Sequence, residues 1–463
     1  MEPRDRRRSK LPLLMLGLLS GGGLAFALAG ALAVGDPPQI TLEQEPKALG
    51  RKASARVAVE APGRGLSEVR VELLQQGRSK VLAERAHTPR PFWAPWAAAT
   101  QTDAIEVELG KEALPDLLAG EATLKVTAAG AGGWLRRATP TVFEKTFPVR
   151  FTPPQLFVTS QQNNAAQGGS GVVVYRVGEG TARDGVQAGE WFFPGYPLPG
   201  GGAGERFALY AVPYDLAEAS RIRLVAEDDA GNRAEIAFVE RYTQRPLTAA
   251  TIQLDDSFLA RVVPEILAQT PEIQDRGNLL DSYLAINGEL RRLNNERLVQ
   301  LAGGTEPRFL WRAPFEQLSN SAVMASFAAR RTYLYQGRAV DTQDHLGFDL
   351  ASNRQAPVEA ANAGKVLFAG YLGIYGNTVV LDHGYGLGSL YSHLSSLDVA
   401  TGDTVEAGQS LGRTGVTGLA GGDHLHFSML VHGRPVTPVE WWDARWIRDH
   451  LKAKLGPALP FPG

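Results

Sequence analysis

The chain contains no cysteine. This excludes disulfides, thiolate zinc sites, iron–sulfur clusters and a thiol nucleophile together. Any metal must therefore sit on His, Asp or Glu, and of His there are only 8 in 463 residues. An excess of charge of either sign is also missing. Lys and Arg total 47 against 49 Asp and Glu, a formal charge of -2. No basic body is available to hold nucleic acid through counterion release, so a nucleic-acid partner is not expected. One common metallohydrolase signature is absent as well: there is no HExxH. What remains is ordinary globular composition, 44% hydrophobic and 21% charged, of a length that suits about three domains.

One long apolar run exists, from Leu11 to Val34, preceded by Arg4, Arg6, Arg7, Arg8 and Lys10. As a helix it would be about 36 Å long, enough for a bilayer core of roughly 30 Å. The basic flank predicts a cytoplasmic N-terminus and export of everything after Gly35. The expectation is a single-pass inner-membrane anchor with the body in the periplasm. The alternative is a cleaved signal peptide with Ala31-Leu32-Ala33 as its site, and a secreted product.

Beyond Pro37-Pro38, short alternating runs recur: Val69 to Leu73, Ile105 to Leu109, Leu124 to Val126, Phe147 to Phe151. A second set follows Pro153-Pro154: Val172 to Tyr175, Phe207 to Val212, Ile222 to Leu224, with a turn at Asp229 to Asn232. Period-two alternation between turn residues predicts two β-sandwich modules, for which an immunoglobulin-like layout is one form. After Pro246 the period becomes helical, with a helix over Asn278–Leu301 and a shorter one over Asp256–Leu267 broken near Pro264. From about Ser326 to Trp446, dense glycine between Val/Leu runs predicts a tightly turning β domain. The expected fold is thus mainly β. Its divisions are an anchor (1–35), two sandwich modules (36–152 and 153–245), a helical connector (246–320), a β-rich C-terminal domain (321–450) and a tail (451–463).

Six of the eight His lie between positions 345 and 432, and three short elements hold the informative ones: His345-Leu346-Gly347-Phe348-Asp349, Tyr391-Ser392-His393-Leu394 and Asp423-His424-Leu425-His426-Phe427. On a strand, side chains at i and i+2 share a face. His424 and His426 would line a groove while Leu425 and Phe427 enter the core. His345 and Asp349 would also share a strand face, with Gly347 leaving the gap between them open. Two His and one Asp make a three-ligand zinc site with a position left for water, and two further His remain for proton transfer. Spacing alone does not say which of His424 and His426 is the ligand.

The motifs HLGFD, GNTVVLDHGYG, YSHL, VEAGQSLGRTG and GDHLHF occur in this order. Together they resemble the lysostaphin/LytM family of zinc peptidases, the M23 peptidases, over about 120 residues. The resemblance implies one zinc ion per chain on His345, Asp349 and His426, with His393 and His424 catalytic. It further implies a LytM-like β-rich peptidase domain that hydrolyses peptide cross-links of bacterial peptidoglycan, with stem peptides as the macromolecular partner. A D-alanyl-diaminopimelate bond and a glycyl bridge both suit this chemistry, and the former is the preferred target because the anchored layout resembles Gram-negative members. Some relatives have lost zinc ligands and activate cell-wall amidases, which is the alternative function. Asn377 and Tyr391 are expected to line the groove. His383 and His432 are expected in structural or turn positions, and His87 and His450 in solvent. Ser428 stands where many members carry an acidic residue.

Overall fold

A computed structural model describes residues 11–462, and side chains from residue 22 onward. The basic flank, and the side chains of residues 11–21 in the expected anchor, therefore lie outside what is described. The backbone of Leu11–Leu32 is helical. Among the residues whose side chains are described, from 22 onward, no helix is long and apolar enough to cross a membrane.

The chain is mainly β and divides into two units: residues 1–153 with 227–233, and residues 154–226 with 234–463. In the first, strands Gln39–Gln44, Ser54–Glu60 and Thr102–Glu108 make one sheet. Arg78–Ala86, Leu66–Gln75, Gly120–Gly130 and Thr141–Val149 make another. The alternation in the sequence is the alternation of burial. Val69, Val71 and Leu73 point inward from one sheet, Ile105 and Val107 from the other, and all join one core.

The second unit opens with Ser170–Val177 paired to Glu205–Ala211 and Thr181–Ala188 paired to Trp191–Pro194. Helices follow at Asp256–Gln269, Leu279–Ala285 and Arg291–Ala302. The last two are joined through a wider turn at Ile286–Leu290. The Asn278 side chain accepts from Asp281 N–H and so caps the helix start. Pro264 does not break its helix, contrary to the sequence expectation. Leu259, Val262, Val263 and Ile266 bury one face around it, and that packing outweighs the lost hydrogen bond.

The C-terminal part is built on an antiparallel sheet of eight strands. Its central members are Phe348–Ala351, Leu425–Val431, Leu387–Leu394, Asn377–Gly384 and Gly364–Tyr371, in that spatial order. The three strands in the middle are buried at almost every residue. Val380, Leu390 and Leu430 face the helices, while Val379, Leu381, Tyr391, Phe427 and Met429 face the opposite core. A sheet covered on both faces reads as continuous apolar runs, not as alternation. A separate sheet of Ala249–Leu254, Ala329–Tyr335 and Arg338–His345 delivers His345 to the edge of this one.

Candidate metal centre and active site

His345 ends one strand and Asp349 lies in the next, Phe348–Ala351, in a different sheet. The expected single strand is therefore interrupted at Leu346-Gly347. Gly347 permits the turn to press against the site: a Cβ there would lie 2.5 Å from both His426 Nε2 and Ser428 Oγ. Asp349 is paired across the sheet with His426, and His426 on its other side with Ser392. Leu425 and Phe427 are buried, as expected, whereas His424 precedes the strand and sits at an isolated bridge to Gly415.

Three acceptor atoms converge. His345 Nε2 lies 2.9 Å from Asp349 Oδ1 and 3.0 Å from His426 Nδ1, and His426 Nδ1 lies 3.0 Å from Asp349 Oδ1. The outer faces of both rings explain why. His345 Nδ1–H donates to the Ser326 carbonyl at 3.0 Å. His426 Nε2 faces Ser428 Oγ at 3.3 Å, and that hydroxyl donates to the Leu346 carbonyl. With both rings donating outward, their inner nitrogens carry lone pairs aimed at the same space as the carboxylate. That donor set suits a cation, and outer hydrogen bonds of this kind fix ligand tautomers. His345, Asp349 and His426 could thus hold a metal ion.

Asp349 is flanked by a residue that the sequence reading missed. Arg331 Nη2 donates to Asp349 Oδ2 at 2.6 Å, leaving Oδ1 for the inner side. Burial would raise the Asp349 pKa. The attraction of His345 and the close approach of the His345, His424 and His426 rings outweigh it and hold the carboxyl well below its ordinary range.

His393 and His424 stand beside this cluster, with ring centroids 4.9 Å apart. His393 Nδ1–H donates to the Thr417 carbonyl at 2.8 Å, and His424 Nδ1–H to the Gly422 carbonyl at 2.8 Å. Each ring thereby keeps Nε2 for other work; that of His424 lies 3.4 Å from Asp349 Oδ1. Burial, then the neighbouring His424 and His426, push the His393 pKa far down. Burial also lowers His424, but the hydrogen bond and charge of Asp349 prevail and raise it. Backbone φ at His393 is +64°, a left-handed value uncommon for a side-chain-bearing residue and frequent at functional sites.

The loop that holds His393 is itself held. Arg261 donates to the carbonyls of Val416 and Ala420, and Glu265 accepts from Gly418 N–H at 3.0 Å. Both come from helix Asp256–Gln269, which the sequence analysis placed in a helical connector without a role at the site. The Ser428 hydroxyl was likewise passed over as irrelevant to the site.

Tyr391, His87 and His450 are placed otherwise than expected, whereas His432 lies in a turn as expected. Tyr391 does not line a groove: it is buried, and its hydroxyl accepts from Ala361 N–H. Asn377 donates to the Leu394 carbonyl. His87 and His450 are not simply solvated. His87 Nε2 lies 3.0 Å from Asp103, and His450 stacks on Trp446. His432 occupies a turn with φ +49° and stacks on Tyr196.

His383 is completely buried, between the Ala363 carbonyl and the Ser389 hydroxyl. Burial pushes its pKa from 6.5 down to about 4. Unfolding restores the higher value, so its contribution to stability is full above pH 6.5 and is lost as pH falls toward 4. The expected loss is on the order of 3 kcal/mol. Unfolding followed from pH 7 to pH 4 should show a shallower acid dependence for His383→Gln than for the wild type. An unchanged slope would remove His383 as a cause of acid lability.

A model of peptidase family M23 matches residues 343–438. Over 95 residues the chain is 41% identical to the DD-carboxypeptidase/endopeptidase Mpg of Neisseria meningitidis, covering 20% of this chain and 22% of that protein. Over 185 residues it is 31% identical to the peptidoglycan DD-endopeptidase ShyA of Vibrio cholerae, covering 39% of this chain and 40% of that protein. The chain thus spans well under half the length of these relatives. A solved zinc-containing peptidase of Vibrio cholerae aligns with 69% of this chain and 80% of its own, at 15% identity and a TM-score of 0.26. The motif order, the clustering of the site residues and the family match coincide on one region: the C-terminal part of this chain carries a peptidase family M23 domain.

Proposed function

We propose that the chain is a zinc-dependent endopeptidase that hydrolyses peptide cross-links of bacterial peptidoglycan from within the cell envelope. The observation that carries this reading is the convergence of His345 Nε2, Asp349 Oδ1 and His426 Nδ1, with His393 and His424 beside them. The DD-endopeptidase names of the relatives favour the D-alanyl-diaminopimelate bond. The apolar run at Leu11–Val34 supports export with the chain retained at the inner membrane. The organisation proposed is that anchor, two sandwich modules at 36–152 and 153–245, a helical connector and the peptidase domain at 321–450.

A zinc ion held by His345, Asp349 and His426 would supply a Lewis acid that polarises a carbonyl and brings the pKa of water near 7. Around it, this chain's residues divide the work. Arg331 neutralises the outer oxygen of Asp349 and fixes the carboxylate plane. Ser326 and Ser428 hold the two ligand rings in register. His393 and His424, each oriented by a backbone carbonyl, present Nε2 to take a proton from the attacking water and to return it to the leaving amine.

The test is digestion of purified peptidoglycan by the full chain, with products identified by mass and zinc measured on the same sample. Released cross-link fragments with about one zinc per chain are expected. Bound zinc without cleavage would refute the peptidase reading, and an absence of both would favour the amidase-activator role. His393→Ala is expected to lower kcat by roughly 10²–10⁴-fold while zinc stays bound. Loss of zinc in that variant would assign His393 to ligation instead.

A further inference from the structure

The helix Leu11–Leu32 does not lead into a loose tether. The loop 132–137 closes over its last turn: Trp134 N–H donates to the Gly30 carbonyl and Leu135 N–H to the Ala31 carbonyl. Gly35 N–H donates to the Ala131 carbonyl just beyond. Arg64 ties the exit together, donating to the carbonyls of Ala33, Gly132 and Arg90, while Arg90 donates to the Ala97 carbonyl. Phe92 packs on Gly30 so closely that a Cβ there would lie 2.6 Å from the ring. Phe92 also meets Phe26, Trp93 and Trp134 at 5.1, 5.2 and 5.6 Å.

This arrangement leaves large apolar groups outside. Trp93 is 50% exposed, Trp134 59%, Trp96 82% and Leu135 85%. Exposed Arg136 and Arg137 follow directly. On the helix, Leu24, Phe26, Leu28 and Leu32 are exposed as well. The apolar surface of the helix therefore runs without interruption into a ring of aromatic side chains at its end. Trp rings combine an apolar body with one N–H donor and concentrate where hydrocarbon meets headgroups. Neighbouring Arg residues suit anionic headgroups.

We propose that the loops 90–97 and 132–137 of the first unit form a membrane-docking face that rests in the headgroup layer of the phospholipid bilayer holding the helix. The occupant follows from the continuity of that face with the apolar helix and from its pairing of Trp with Arg. The inference rests on the envelope placement proposed above, and deepens it: the first unit is seated on the membrane surface at a fixed point, not suspended above it.

The chain offers a direct probe, since it has 8 Trp and the first is Trp93, beyond the helix. Full-length protein would be reconstituted in vesicles of equal parts phosphatidylethanolamine and phosphatidylglycerol, with and without brominated acyl chains. Substantial quenching of Trp fluorescence by the brominated lipid is expected, with most of it lost in the W93F/W96F/W134F variant. Peptidoglycan hydrolysis by that variant in detergent should match the wild type. If the protein floats with the vesicles but is not quenched, or the triple variant is quenched equally, the docking face is refuted while the anchor stands. Self-association without quenching would give the face to a second copy and equally refute the proposal. If the chain does not float with vesicles at all, the envelope anchoring fails along with it.

Discussion

Substitution of His345 by alanine is expected to remove both bound metal and peptidoglycan cleavage. One of three converging donors disappears, and the remaining two, Asp349 Oδ1 and His426 Nδ1, are 3.0 Å apart. Loss of a hydrogen-bond partner behind a metal ligand already costs 10–100-fold in affinity or activity. Removal of the ligand itself should exceed about 100-fold. His345 also donates through Nδ1–H to the Ser326 carbonyl, just after the strand Ala322–Ala325 that pairs with Phe348–Ala351, so its ring ties its own sheet to the sheet that holds Asp349. The informative measurement is zinc stoichiometry by mass spectrometry beside turnover, with circular dichroism to verify folding. A folded H345A protein that kept full zinc content would overturn the ligand assignment. A folded, zinc-free protein that still cut peptidoglycan would overturn the mechanism.

The second large effect is expected from the smallest change, Gly347→Ala. Its methyl would lie 2.5 Å from His426 Nε2 and from Ser428 Oγ, inside any normal contact distance. Backbone strain is not the obstacle, because Gly347 does not have a positive φ. The clash is with the outer edge of a ligand ring, which must tilt or be pushed inward. Overpacking of this kind costs about 1–3 kcal/mol in a packed interior. Here part of that cost falls on the position of His426, so metal affinity should drop by roughly 10–100-fold. Zinc titration of the folded variant against a competing chelator would measure it. Wild-type affinity in G347A would mean that the ring and the Ser428 hydroxyl have room to yield.

These two residues also mark what could and could not be read in advance. The five His and Asp side chains were legible because imidazole is scarce in this chain and clusters in three short motifs. Their convergence was legible only in outline. His345 and Asp349 look like neighbours along one strand, yet the chain turns at Gly347 and they belong to different sheets. Arg331 was illegible: it is one of 47 basic residues, and only the register of Ala329–Tyr335 against Arg338–His345 brings it to Asp349. Ser428 was visible as a departure from the family pattern but was given no role, because its partner carbonyl, Leu346, lies 82 residues away. In the fold, alternation revealed the strands of the first unit, where each sheet has one inward face. It could not reveal the central strands of the peptidase domain, which are covered on both sides. Pro264 was misjudged because a local rule was applied where four buried neighbours on the same helix set the outcome.

The grip of Arg261 and Glu265 on residues 416–420 has a consequence for how such an enzyme could be tuned. The helix that carries them lies outside the stretch matched to the family, 343–438, while the loop and His393 lie within it. On the proposed reading, chemistry and its adjustment would be encoded in separate parts of the chain. A substitution on the exposed side of that helix could tighten or relax the seat of His393 while every site residue stays as it is. On that reading, turnover would drift or be engineered through a helix outside the family-matched stretch.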